Sequence, residues 1–216
     1  MTEYMIKDVE CFSQDNNKYI DPITKKNVAS VSCFNTCVAM CVRYALKLKE
    51  LDKSAVGCGI STDLDDYINM IIDDNETQNW INTNLKGSWI IDYIKRNAKR
   101  QVFAIESYVF NRLMNQHGFK CQERYDLTYE TICNVLKQNE LPMIIGGNFS
   151  SVSSVGGHMN CLVGYNSIGL KEFIVNDPHG NALTGYTNKI GAYVRYPIKF
   201  FLQKDNTIWC LVISKI

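Results

Sequence analysis

Cys33, His158 and Asp177 are residues whose types and settings suit acyl transfer. A nucleophilic cysteine needs thiolate character and access to substrate. The first turn of a helix offers both, because its free N–H groups and aligned peptide dipoles favour an anion at an accessible end. Cys33 stands directly before the strongest helical signal in the chain, whereas Cys37 and Cys41 fall one and two turns further in, where a small thiol ordinarily packs. His158 follows Gly156-Gly157 and opens the apolar run from Met159 to Gly164, so a flexible loop can present the ring while a strand fixes its backbone. Beside a helix-start thiol, an imidazole can take the thiol proton and later return it to a leaving amine. Asp177 ends the run EFIVND before Pro178, where its carboxylate can accept from the second ring nitrogen and hold the tautomer. Asp-Pro is also ordinary turn vocabulary, and that reading stays open.

The elements that must bring these groups together follow from periodicity. Residues 1–32 carry little of it, contain turn-like segments at Gln14 to Asn17 and Asp21-Pro22, and read as an irregular arm. From Cys33, the residues Val38, Val42, Ala45 and Leu46 recur at helical spacing in an unusually apolar central helix expected to end near Glu50. Gly57-Cys58-Gly59 breaks the chain, and Ser61 or Thr62 is placed to cap a second helix through Tyr67, Ile68, Ile71 and Ile72. Residues 77–100 suggest one or two short helices around Trp80, Trp89, Ile90, Tyr93 and Ile94, and residues 102–116 another before His117-Gly118. After a short strand from Phe119 to Glu123, Thr128, Glu130 and Thr131 begin a helix whose apolar stripe is Ile132, Val135 and Leu136. PMIIGG, HMNCLVGYN, EFIVNDP, AYVRYP and IWCLVIS then read as successive strands separated by turn residues. A helical N-terminal half followed by an antiparallel C-terminal sheet is an α+β arrangement, in which Cys33 and His158 can meet at the helix–sheet interface.

Composition narrows the function classes. A chain of 216 residues without a Pro/Gly/Ser-rich linker reads as one domain over residues 1–216. Lysine plus arginine number 23 against 22 aspartate plus glutamate, so no single-sign field points to nucleic acid, and the basic run Lys95, Arg96, Lys99, Arg100 reads as a solvated helix face. The polar N-terminus lacks the apolar core of a signal peptide, and no stretch approaches the roughly 18 apolar residues of a membrane span, so a cytoplasmic location is expected. Nine cysteines, an odd number, are expected to be mostly reduced. Cys33, Cys37 and Cys41 lack the paired knuckle or nearby histidine of a zinc site. The glycine pairs at 146–147 and 156–157 lack the continuation of a phosphate-binding loop, and thiol–imidazole chemistry needs no cofactor, so none is expected. His179 reads as a turn or groove-wall residue and His117 as a helix-end residue.

CFNTCVAM from Cys33, GGHMNCLVGYN from Gly156 and VNDPHG from Val175 together resemble the papain-like cysteine peptidase superfamily, in its bacteriocin-leader-processing (double-glycine) branch and that branch's stand-alone relatives. Cys33 and Met40 keep the family's separation between the nucleophile and the methionine of the central helix, with Phe34-Asn35 replacing the usual residues after the cysteine. His158 with Gly164-Tyr165 matches the family's histidine strand, and Asp177-Pro178 its third catalytic residue. The resemblance covers roughly residues 10–49 and 140–213, and implies a papain-like fold with the central helix packed on the sheet. It also implies an oxyanion-hole glutamine upstream of the cysteine, which Gln14 in CFSQDNN resembles, with Asn35 as a fallback donor.

The expected activity is that of a cysteine peptidase acting on a peptide or protein through an acyl-cysteine intermediate. A thiol acyltransferase or non-peptide amide hydrolase would use the same intermediate. A noncatalytic peptide-binding protein could keep the same groove, since fold does not dictate function. With no transporter segment attached, the leader-processing substrate does not carry over directly. The natural substrate and the oligomeric state are not written in the sequence.

Overall fold

Helix α1 (Cys33–Ala45) is apolar nearly all round, and every residue from Phe34 to Val42 is buried, as expected of a helix enclosed on all sides. The computed structural model describes residues 2–47, 63–85, 102–154 and 156–216. The helix stops before Glu50, because Lys47 adopts a left-handed conformation (φ 52°) and turns its N–H onto the Tyr44 carbonyl, 3.1 Å away. The Gly57-Cys58-Gly59 break, the Ser61 and Thr62 cap positions, Trp89 to Ile94 and the basic run at 95–100 lie outside the described residues.

Helix α2 (Leu64–Ile72) follows Asp63 and buries Ile68, Ile71 and Ile72. Helix α3 (Asn75–Asn84) is capped by Asp74, whose side chain accepts from the Thr77 N–H at 2.8 Å. Arg112 of helix α4 (Phe103–Asn115) donates to the same carboxylate and fastens α4 across the start of α3. Helix α5 (Tyr129–Asn139) begins at Thr128, whose hydroxyl accepts from the Thr131 N–H at 3.2 Å.

The sheet contains β1 (Glu3–Met5), β2 (Phe119–Leu127), β3 (Met143–Asn148), β4 (Gly157–Asn166), β5 (Glu172–Asn176), β6 (Val194–Pro197) and β7 (Ile208–Lys215). The strand order is β2-β7-β3-β4-β5-β6, and every pairing is antiparallel. The arm therefore departs from the irregular coil read in the sequence: β1 pairs with the far half of β4, Tyr4 opposite Tyr165, beyond the residues that β3 covers. Gly164 permits this, since a Cβ there would stand 2.5 Å from the Tyr4 carbonyl oxygen. Strand β2 runs past Glu123 to Leu127, with an irregularity between Arg124 and Leu127.

α1 lies on β4, and the Cys41 and Cys161 sulfurs meet across that contact at 3.8 Å in the core. The result is the α+β, papain-like arrangement of an N-terminal helix on a largely antiparallel C-terminal sheet. Among the described residues no helix is long and apolar enough to cross a membrane.

Candidate active site

Cys33 is the first residue of α1 and only partly buried, with Ser32 before it bonded back to the Val28 carbonyl at 2.8 Å. Its thiol thus sits where the helix's free N–H groups converge. Burial opposes the thiolate, but the hydrogen bond and charge of His158, helped by main-chain hydrogen bonds at Met159 and Phe34, outweigh it and lower the thiol below its ordinary titration range. Burial alone would depress the His158 imidazole. Hydrogen bonds to Asp177 and to Cys33 more than reverse that, and the ring titrates well above the usual histidine range. The two shifts run in opposite directions because each side chain favours the charged form of the other.

His158 Nε2 lies 2.8 Å from Asp177 Oδ1, which leaves Nδ1 for the Cys33 side. Asp177 is buried (1% exposed) and is held by two further hydrogen bonds: Oδ1 also accepts from the His179 N–H at 2.9 Å, and Oδ2 accepts from the Tyr196 hydroxyl at 2.7 Å. Tyr196 in turn accepts from the Ala182 N–H at 2.7 Å, so the carboxylate is anchored to β6 and to the turn after β5. Phe149 stands edge-on to His158 with centroids 6.2 Å apart and supplies an apolar wall.

Gln14 opens a short 3-10 turn, Gln14–Asn16, and donates its N–H to the Pro178 carbonyl at 2.8 Å, one residue beyond Asp177. Its side chain is buried, and Oε1 has no hydrogen-bond partner among the described residues. The structure thus gathers Cys33, His158 and Asp177 into one connected group and ties Gln14 to its edge. Asn35 does not join them: its Nδ2 donates to Asn69 Oδ1 at 3.0 Å, which commits its side chain to packing α1 against α2. The fallback donor is therefore withdrawn.

Cys37 and Cys41 are fully buried, and burial together with neighbouring thiols pushes both well above the ordinary range. Among the described residues no group of three or more His, Cys, Asp and Glu side chains could hold a metal.

Three residues near the site carry little signal in the sequence. Tyr196 carries only the alternation of VRYP, which marks it as inward-facing without naming its partner. Tyr186, in a left-handed conformation (φ 63°), sets its ring edge-on to His158 and to His179, at 5.8 and 4.5 Å between centroids. Asp15 holds His179, with its Oδ1 3.1 Å from Nδ1. The only local signal for Asp15 was its place beside Gln14.

The profile of the family described as the Peptidase_C39 like family matches residues 6–201. No curated protein matches the chain. Among solved structures, a double glycine motif protease from an AMS/PCAT transporter, in complex with the leader peptide, aligns with 15% identity over 100% of both chains at a TM-score of 0.39. With the family profile spanning nearly all of its length, this chain belongs to the Peptidase_C39-like family.

Proposed function

We propose that the protein is a cysteine peptidase that cleaves a peptide or related amide bond through an acyl-cysteine intermediate. The observation that carries this reading is the His158–Asp177 contact at 2.8 Å beside a thiol at the start of α1, with the lowered Cys33 thiol and raised His158 imidazole in keeping with it. In this reading the Cys33 thiolate attacks the carbonyl carbon, and the electron pair of the C=O bond moves onto oxygen. The Gln14 side-chain amide and the Cys33 N–H stabilise that oxyanion. Collapse of the tetrahedral intermediate breaks the C–N bond as His158 protonates the leaving amine. His158 then takes a proton from water, whose oxygen attacks the thioester and releases the acid. Asp177 keeps the imidazole oriented and favours its protonated form in both halves of the cycle. No cofactor enters this scheme. The chain acts as a single domain in the reducing cytoplasm, where a reactive thiolate is not lost to disulfides.

An unbiased peptide-cleavage profile, run with wild type and Cys33→Ala side by side, tests the reading. Cleavage at a defined motif by the wild type alone supports it. Transfer of the acyl group to an added amine in preference to water would make the protein an acyltransferase. Binding of peptides with no turnover and no thiol labelling would make it a peptide-binding protein.

A further inference from the structure

Asp15 lies beside Gln14 and joins three separate segments of the chain. Its Oδ1 is 3.1 Å from His179 Nδ1 and its Oδ2 is 2.9 Å from Lys189 Nζ. His179 belongs to the turn after β5 and Lys189 to the loop before β6. Main-chain bonds bring the same segments together: Gln14 N–H to the Pro178 carbonyl, Asp177 N–H to the Gly191 carbonyl, and Asn181 N–H to the Asn188 carbonyl, each 2.8 Å. Gly180 lets the turn and loop approach this closely, since a Cβ there would stand 2.6 Å from the Asn188 carbonyl oxygen.

The charge of Asp15 suits this place. Partial burial opposes its ionisation, but the hydrogen bond from Lys189 and the charge of His179 outweigh it and hold the carboxyl below the usual carboxylate range. Asp15 and Lys189 are substantially exposed, and exposed ion pairs add little to global stability. The consequence of the bridge is therefore local. Among the described residues Gln14 Oε1 has no partner to fix the amide, so the orientation of that amide depends on where the turn holds its backbone.

We infer that Asp15 is a positioning residue: by bridging His179 and Lys189 it locks the Gln14 turn onto the Asp177 turn and holds the Gln14 amide in register with Cys33 and His158. His179 also donates its N–H to Asp177 Oδ1 at 2.9 Å, so one residue links the Asp15 bridge to the carboxylate that orients His158. The kinetic consequence rests on the proposed hydrolase reading; the structural consequence does not.

Hydrogen exchange read by mass spectrometry tests the structural part without a substrate. Asp15→Ala should speed exchange in the segment 13–17 while the β4 core keeps its wild-type protection. The kinetic part uses a peptide that the wild type cleaves. Misplacing a catalytic group by about 1 Å can cost on the order of a hundredfold, so Asp15→Ala should lower kcat by about ten- to a hundredfold with KM little changed. Asp15→Asn, which keeps an acceptor for His179 but loses the charge facing Lys189, should fall between. Gln14→Ala and the Gln14→Ala/Asp15→Ala double variant should be equally slow, because the bridge acts through Gln14. Alkylation of Cys33 by iodoacetamide forms no oxyanion and should stay within about twofold of wild type in Asp15→Ala. Unchanged exchange, additive losses in the double variant, or alkylation slowed as much as cleavage would each overturn the inference. If the wild type cleaves no peptide, the hydrolase reading falls, and the exchange measurement alone decides whether the bridge holds the turn.

Discussion

Replacing Tyr196 by Phe removes one oxygen atom and leaves the ring in place among Phe149, Phe200 and Phe201. That oxygen donates to Asp177 Oδ2 and accepts from the Ala182 N–H, both at 2.7 Å, and Tyr196 and Ala182 are fully buried. A hydrogen bond to a charged acceptor contributes about 1.5–3 kcal/mol, and a buried N–H left without a partner costs about 1–3 kcal/mol. The two losses share one hydroxyl and do not simply add, so Tyr196→Phe should destabilise the fold by about 3 kcal/mol. His158 still faces an Asp177 that keeps its Oδ1 contacts, so the rate should fall by only about tenfold, or about 1.4 kcal/mol of transition-state stabilisation. Asp177→Asn, which changes the His158 partner itself, should cost far more. Urea unfolding followed by circular dichroism reads the first quantity, and kcat/KM on a verified peptide reads the second. A Phe variant within about 0.5 kcal/mol of wild type and equally active would refute the claim that the hydroxyl anchors the carboxylate.

Mild iodoacetamide treatment of the native protein should label Cys33 first, with Cys37 and Cys41 protected by complete burial and raised titration; preferential labelling of Cys37 would reverse the choice of nucleophile. The pH profile of kcat/KM should be a broad bell. Its acid limb, where the lowered Cys33 thiolate gains a proton, should fall below the ordinary thiol range, and its alkaline limb, where the raised His158 imidazolium loses one, should lie toward about pH 10. A single limb near pH 8.5 would mean an isolated thiol. Asn35→Ala should lower stability by about 0.5–1.5 kcal/mol, because it removes the buried hydrogen bond to Asn69 Oδ1 between α1 and α2, yet hold kcat for the remaining folded protein. Gln14→Ala should do the reverse, keeping the fold and slowing cleavage by about a hundredfold.

Much of the scaffold was legible because its signals are local. The apolar run after Cys33, the Thr128 cap and the strand grammar of HMNCLVGYN and EFIVN each depend on neighbours a few residues away. What the sequence hid depends on distant partners. EYM becomes a strand only because Gly164 leaves room for Tyr4, and the polar second half of β2 is a strand because β7 lies beside it. Asn35 reads as a fallback oxyanion donor because nothing in CFNTC tells of Asn69, with which it pairs in the interior. The early end of α1 turned on the left-handed conformation of one lysine, Lys47. Within the site, helix-start position and loop–strand context pointed to Cys33 and His158. Tyr196 and Asp15 act through contacts with residues on other strands and turns, and periodicity carries no trace of those pairings.

The central claim is that Cys33 carries the acyl group, and rapid-quench intact-mass spectrometry of one turnover tests it most directly. With a peptide selected from the cleavage profile, the wild type should show a transient mass increase equal to the acyl fragment, localised by digestion to the peptide containing Cys33. Cys33→Ala should remain folded, because it removes one sulfur from a half-buried residue at the helix start and no large core side chain, and it should show neither adduct nor product. An adduct on any other cysteine, or turnover that persists in Cys33→Ala, would contradict the account.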